Sequence, residues 1–456
     1  MSPISQSLDW SIQTRRLFRA WLIFATAALT LAAFFVLPGA ISSSLGQEVL
    51  AVGSTARFLV GHIFFSLVLA STAFLVVLWM QAVLWVETSR FPVVPAWMGF
   101  WLAVAGSGLA AASVLLGWGE PVLTDFVPVV IEPAFLSGFV LFVVGIAVTT
   151  GCFIYAITSV DIGKMPLIPF GMLCTAFIMI AAGFSGVATV TRLFCDWFAF
   201  QLAWQTPSIL AQALFWGPGH LIPFATVGAM VVSWILLLPH PGLAGSEESL
   251  ARYGFLALVF FAAVVLIVLF AVDPLALPKM TALNIALRGI MTLPVIFLGS
   301  LVLRRRLRLG LRPKSPALLL SILLFAAGLL MAASGIGQST QAWVPSHYEA
   351  MIPGAVLTTF MGVSTELIPL WDRSPTSEPL ERIQTYLYAG GIFLVSLSML
   401  WAAWLGSERR GYFITMSERG PMILLWIGGI AAETGVLAFA AHIVGALHEG
   451  GIQSDS

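Results

Sequence analysis

The sequence predicts an all-α fold: a polytopic membrane protein of twelve transmembrane helices forming one domain over residues 1–456. Two observations carry this. The chain is 59% hydrophobic and only 9% charged, with a mean hydropathy of +0.99, whereas soluble domains carry about 25% charge. Its apolar residues also fall into runs of the roughly 20 residues that a helix needs to cross a bilayer.

In chain order the twelve runs are 18–38, 58–86, 94–118, 132–157, 166–190, 207–238, 252–272, 281–303, 315–336, 347–370, 382–405 and 421–446. Proline, glycine and charge clusters separate them, such as HPGLAGSEES at 240–249 and WDRSPTSEPLER at 371–382. No soluble domain fits between the runs. The first run follows Arg15, Arg16 and Arg19 and has no A-x-A cleavage site, so it reads as an anchored helix and not a cleaved leader. The net charge of zero gives no reason to expect nucleic acid. Cys152, Cys174 and Cys195 form no metal-ligand or redox spacing and read as small hydrophobes.

The positive-inside rule orients the chain. With a cytoplasmic N-terminus, 14 Lys and Arg fall on the inner side, among them the run Arg304, Arg305, Arg306 and Arg308. Six fall outside, including the adjacent pair Arg409 and Arg410, and Arg288 remains inside the eighth run. Both termini are therefore expected in the cytoplasm.

Even-numbered runs then descend from the outer face. His62 lies near the start of the second, His220 in the sixth and His347 at the start of the tenth, so all three share the outer leaflet with Arg288, Glu349 and Glu433. Ionisable groups at that depth each cost a few kcal/mol unless they are paired or bound to something. One such histidine is most simply a side chain bonded to a backbone carbonyl. Three at one depth point to a heme or metal site. His442 and His448, near the inner end of the last run, read as interfacial, and Glu366 reads as a headgroup contact.

Several short segments then take on meaning together. The sixth run contains ALFWGPGHLIPF. The tenth contains SHYEAMIPGAVLTTFMG and closes on ELIPL, and LGSERRGYF lies between the last two runs. In this order, over twelve spans, they resemble subunit I of the heme–copper oxidase superfamily, the large subunit of cytochrome c oxidases and nitric oxide reductases. The resemblance covers essentially the whole chain and implies a bacterial-type inner membrane. It makes His62 similar to a low-spin heme ligand, His347 to the high-spin heme ligand and His220 to the first copper ligand. Arg409 and Arg410 match a propionate clamp, where two guanidiniums form bidentate bonds to carboxylates. It also implies a membrane or extracytoplasmic electron-transfer partner of the cytochrome c or cupredoxin-like kind.

The departures from the family pattern are as informative. The seventh run has no histidine, and the only one between His220 and His347 is His240. Copper would keep a single imidazole, too few for a stable site. Ile222 and Phe224 stand where the family's GHPEVY segment has its glutamate and tyrosine. Glu349 replaces the second histidine of the family's H-x-H pair. It is turned roughly 200° from His347 on the helix, so the two face different sides.

The expectation is a divergent, heme-binding member with no copper and no normal dinuclear centre, carrying electrons or binding O2 or NO. The heme is expected on His347 with His220 distal, the competing arrangement being a heme on His62 alone. Arg288 is expected as the counter-ion of Glu349. The alternatives are an active oxidase or nitric oxide reductase with altered ligands, and a heme-free structural subunit.

Overall fold

A computed structural model describes residues 12–44, 52–86, 90–124, 127–198, 206–243, 245–310, 315–335, 342–372, 377–406 and 419–454. Twelve of its helices are long and apolar enough to cross a membrane. They are α1 (Ile12–Ser44), α2 (from Val52 to Trp85), α3 (Val93–Leu115), α4 (Pro133–Ile157), α5 (Leu167–Phe198), α6 (Pro207–Leu236), α7 (Ser246–Ala271), α8 (Thr281–Leu309), α9 (Ala317–Ser334), α10 (from Trp343 to Asp372), α11 (Glu378–Trp404) and α12 (Arg419–Ser454). The chain is thus a multi-pass membrane protein embedded in a lipid bilayer.

Every predicted run corresponds to one of these helices, with differences at the ends. α1 extends well beyond 18–38. α10 begins at Trp343, which puts His347 a full turn inside the helix and not at its first residue.

The most enclosed helices are those that carry His62, His220 and His347. In both α2 and α10, 89% of the apolar window is buried, against 28% in α12. Large apolar side chains such as Ile267, Leu323 and Leu330 point outward, as lipid contact requires. Because lipid is as apolar as the side chains it touches, tight helix pairing rests on close backbone approach at small residues. α3 and α4 meet in this way: a Cβ on Gly145 would lie 2.5 Å from the Gly99 carbonyl oxygen and 2.7 Å from Ala103 N.

A small hairpin between α3 and α4 has no counterpart in the sequence reading. β1 (Glu120–Val122) pairs antiparallel with β2 (Val129–Ile131), with Pro121 opposite Val130. Three-residue strands are too short to show a periodicity, which is why they were not legible. Two glycines with positive φ, Gly117 and Gly119, turn the chain out of α3. The return is set by Glu132, whose carboxylate caps α4 by accepting from Ala134 N at 2.6 Å and Phe135 N at 3.0 Å, with Pro133 at the first helical position. Arg57 of α2 ties the hairpin down by donating to Gly119 O at 2.8 Å.

Candidate cofactor site

Two of the helices that carry even-run site residues, α2 and α10, lose the regular α pattern just after one of them. In α2, His62 is followed by a π segment, Phe64–Ala70. In α10, Glu349 is followed by another, Ala350–Leu357. Such segments insert an extra residue per turn and concentrate at functional sites.

The cause in α10 is Pro353. It has no N–H to give the Glu349 carbonyl four residues earlier, whereas the π register offers Gly354 N five residues on. Only glycine suits that place, since a Cβ there would lie 2.9 Å from Glu349 O. Neighbouring helices hold the remaining carbonyls. Tyr388 of α11 donates to Pro353 O at 2.8 Å, and Ser321 of α9 donates to Ala355 O at 2.8 Å. In α2, Ser66 donates back to His62 O at 2.7 Å.

These helices enclose a cavity of about 440 Å³, within the range of small-molecule and cofactor pockets. Its walls are mostly apolar: Phe35 from α1, Ile352 from α10, Met399 from α11 and Trp426 from α12 all line it. Thr124, Val127 and Pro128, from the turn of the hairpin, line it as well. The ionisable groups on its walls are His62, Tyr348, Glu349 and Glu433. His62 Nδ1 lies 2.9 Å from Ala32 O of α1. A carbonyl can only accept, so Nδ1 carries the proton and Nε2 keeps its lone pair. Imidazoles held for metal ligation are commonly fixed by such a second bond. Glu349 and Glu433 have no hydrogen bond or ion pair with other described residues.

The other two histidines lie elsewhere. His220 is 2% exposed, its Nδ1 donates to Trp216 O at 2.7 Å, and its ring packs 4.7 Å from that of Trp216. His347 Nδ1 donates to Trp343 O at 3.0 Å. Neither side chain lines the cavity, although Gly219 and Ile222, on either side of His220 in sequence, do.

Arg288 accounts for part of this arrangement. Its guanidinium sits over the Tyr348 ring, 5.4 Å from the centroid, and within electrostatic reach of His220. It meets α10 at Tyr348, the residue before Glu349. A fixed cation beside His220 repels a second cation there. Among the described residues, no three His, Cys, Asp or Glu side chains group as metal ligands. Arg409 and Arg410 lie outside the described residues.

Three groups were missed or misread. Glu433 was placed at the right depth but not in the pocket. Tyr388 is 3% exposed, within electrostatic reach of both Glu349 and Glu433; its only sequence signal was a phenol inside an apolar run. His442 is not interfacial but buried, with its ring nitrogens facing Gln384 Oε1 at 3.2 Å and Ser377 N at 3.3 Å.

A bundle of twelve spanning helices, with those bearing His62, His220 and His347 innermost, is the architecture of a heme–copper oxidase subunit I. The chain belongs to the family described as cytochrome C and quinol oxidase polypeptide I, which matches residues 57–432. It is similar to a cytochrome c oxidase subunit 1 from Thermus thermophilus, with 23% identity over 75% of this chain and 67% of that one. It is also similar to an uncharacterized protein from Aquifex aeolicus, with 28% identity over 66% of this chain and 73% of that one. The fold matches the cryo-EM structure of a heme-copper terminal oxidase dimer with a TM-score of 0.73 at 16% identity, over 96% of this chain and 84% of that one.

Proposed function

We propose that this chain is a heme-binding, oxidase-related membrane protein that keeps one heme site, in the cavity lined by His62, and no normal dinuclear centre. The carrying observation is the cavity itself: an apolar pocket with one imidazole whose Nδ1 is tied to Ala32 O. The residues present fit a heme there: His62 Nε2 would hold its iron, and Glu349 would lie on the same cavity wall. This favours the His62 arrangement over a heme on His347 with His220 distal, because neither of those side chains lines the pocket. A heme so held supplies a one-electron iron couple and a coordination position for a small gas.

The side chains have separable roles in this reading. Ala32 O fixes the His62 ring, and the apolar walls exclude water. Glu349, a carboxylate in place of an imidazole, would be a weak-field partner for a heme iron held there. Arg288 blocks a metal beside His220. We place both termini in the cytoplasm, on the charge bias of the connecting segments. The electron donor in this reading is a cytochrome c or cupredoxin-like subunit on the outer face, where the hairpin lines the pocket.

Pyridine hemochrome analysis of purified protein is expected to give about one heme per chain. His62→Ala should abolish the optical and EPR signals of that heme, and His347→Ala should retain them. A full heme spectrum in His62→Ala that is lost in His347→Ala would overturn the assignment. A heme-free protein would leave the structural-subunit alternative.

A further inference from the structure

α8 ends in four arginines, Arg304, Arg305, Arg306 and Arg308. α7 runs antiparallel beside it and brings the buried Glu247 of its first turn to the same membrane face. The Glu247 carboxylate accepts from Arg308 Nη1 at 2.7 Å and lies 3.9 Å from Arg304 Nε. One carboxylate thus serves two of the four guanidiniums. The neighbouring Glu248 is taken by Arg252, 3.0 Å away.

Arg305 and Arg306 are left over. Each side chain is half-buried, and the Nε of each is buried with no hydrogen-bond partner among the described residues. Neither forms an ion pair with a described acid. Guanidiniums partly withdrawn from water, crowded by like charges and lacking a counter-ion, cost free energy until an anion reaches them. The surroundings indicate which anion. Leu293, Ile296, Leu303 and Leu307 of α8 are 60%, 47%, 38% and 70% exposed, and their spacing puts them on one face of the helix. Leu307 lies within the arginine run itself, so the charged surface is also apolar. A water-soluble acidic chain matches only the charge, whereas a phospholipid matches both.

We propose that the paired ends of α7 and α8 form a binding site for one anionic phospholipid of the adjoining leaflet. Its phosphodiester accepts charge-assisted hydrogen bonds from Arg305 and Arg306, and an acyl chain lies along Leu303 and Leu307. Glu247 holds Arg304 and Arg308 beside the headgroup. Basic clusters at the ends of membrane helices recognise anionic headgroups in this way. None of these residues lines the cofactor cavity, so the site stands or falls apart from the proposed function.

The test is native mass spectrometry of the full chain in detergent, titrated with phosphatidylglycerol or phosphatidylcholine of the same acyl chains. Wild type is expected to bind phosphatidylglycerol the more tightly, and added salt should weaken that binding. Arg305→Gln and Arg306→Gln should each weaken it about fivefold, and together roughly twenty-fivefold, with phosphatidylcholine unaffected. Arg382→Gln, which removes an exposed arginine already paired with Glu378, should bind phosphatidylglycerol as wild type does. Equal affinity of wild type for the two lipids would overturn the proposal, a result that needs no variant to fold. So would a double variant that keeps wild-type affinity for phosphatidylglycerol. Displacement of the lipid by an equal concentration of inorganic phosphate or of a polyglutamate peptide would assign the site to a free anion or an acidic chain, and would also overturn it.

Discussion

Gly354→Ala tests the element that aims Glu349 at the cavity. An alanine gains about 0.8–1 kcal/mol over glycine in a helix interior. Here the new Cβ would lie 2.9 Å from Glu349 O and 3.1 Å from Ile392 Cγ2. Neither neighbour is a flexible side-chain tip. The backbone cannot easily give, because Tyr388 holds Pro353 O and Ser321 holds Ala355 O on either side. Overpacking of this kind costs about 1–3 kcal/mol, so steric cost at least matches propensity and the net loss is up to about 2 kcal/mol. Gly390→Ala is the matched control, since a Cβ there meets nothing within 4 Å and only the propensity gain remains. The assay is denaturant unfolding of both variants in the same detergent, read by far-UV circular dichroism. Gly354→Ala is expected to fall below wild type and Gly390→Ala to match or exceed it. If Gly354→Ala proves as stable as Gly390→Ala, the π register in α10 is wrong, and with it the placement of Glu349.

Other outcomes are expected. Pro353→Ala returns the N–H that the Glu349 carbonyl lacks, letting α10 revert to α register and turning Glu349 by about 100° relative to the inner half of the helix; helix content should hold while heme occupancy falls, and unchanged occupancy would count against Glu349 facing the pocket. Elemental analysis should find iron without stoichiometric copper, and about one copper per chain would revive an oxidase with altered ligands. Replacing Arg409 and Arg410 together by alanine should lower heme content or shift its potential, and no change in either would mark them as solvated charges. Cysteines placed at 304–314 should label only from the cytoplasmic side, and external labelling would reverse the topology.

How much of this was legible in the chain depended on what sets each feature. The twelve spans were readable because a bilayer offers backbone groups no water, so each crossing must be a long apolar helix whatever its neighbours. The family likeness was readable because its motifs are contiguous, as in GPGH around His220 and SHYEAMIPG around His347. Depth was readable too, since helix direction alternates; that put His62, Glu349 and Glu433 in one layer, and all three line one cavity. Rotation about each helix axis was not readable. It follows from packing against several neighbours at once, and in α2 and α10 it is reset by π segments, for which Pro353 was the single local sign. Only the tertiary structure therefore decided that His62 and not His347 faces the pocket. It also decided that Arg288 lies over Tyr348, and that His442 is buried against Gln384. Hydropathy determines where a helix crosses, but which of its faces meets which partner is settled only when the bundle closes.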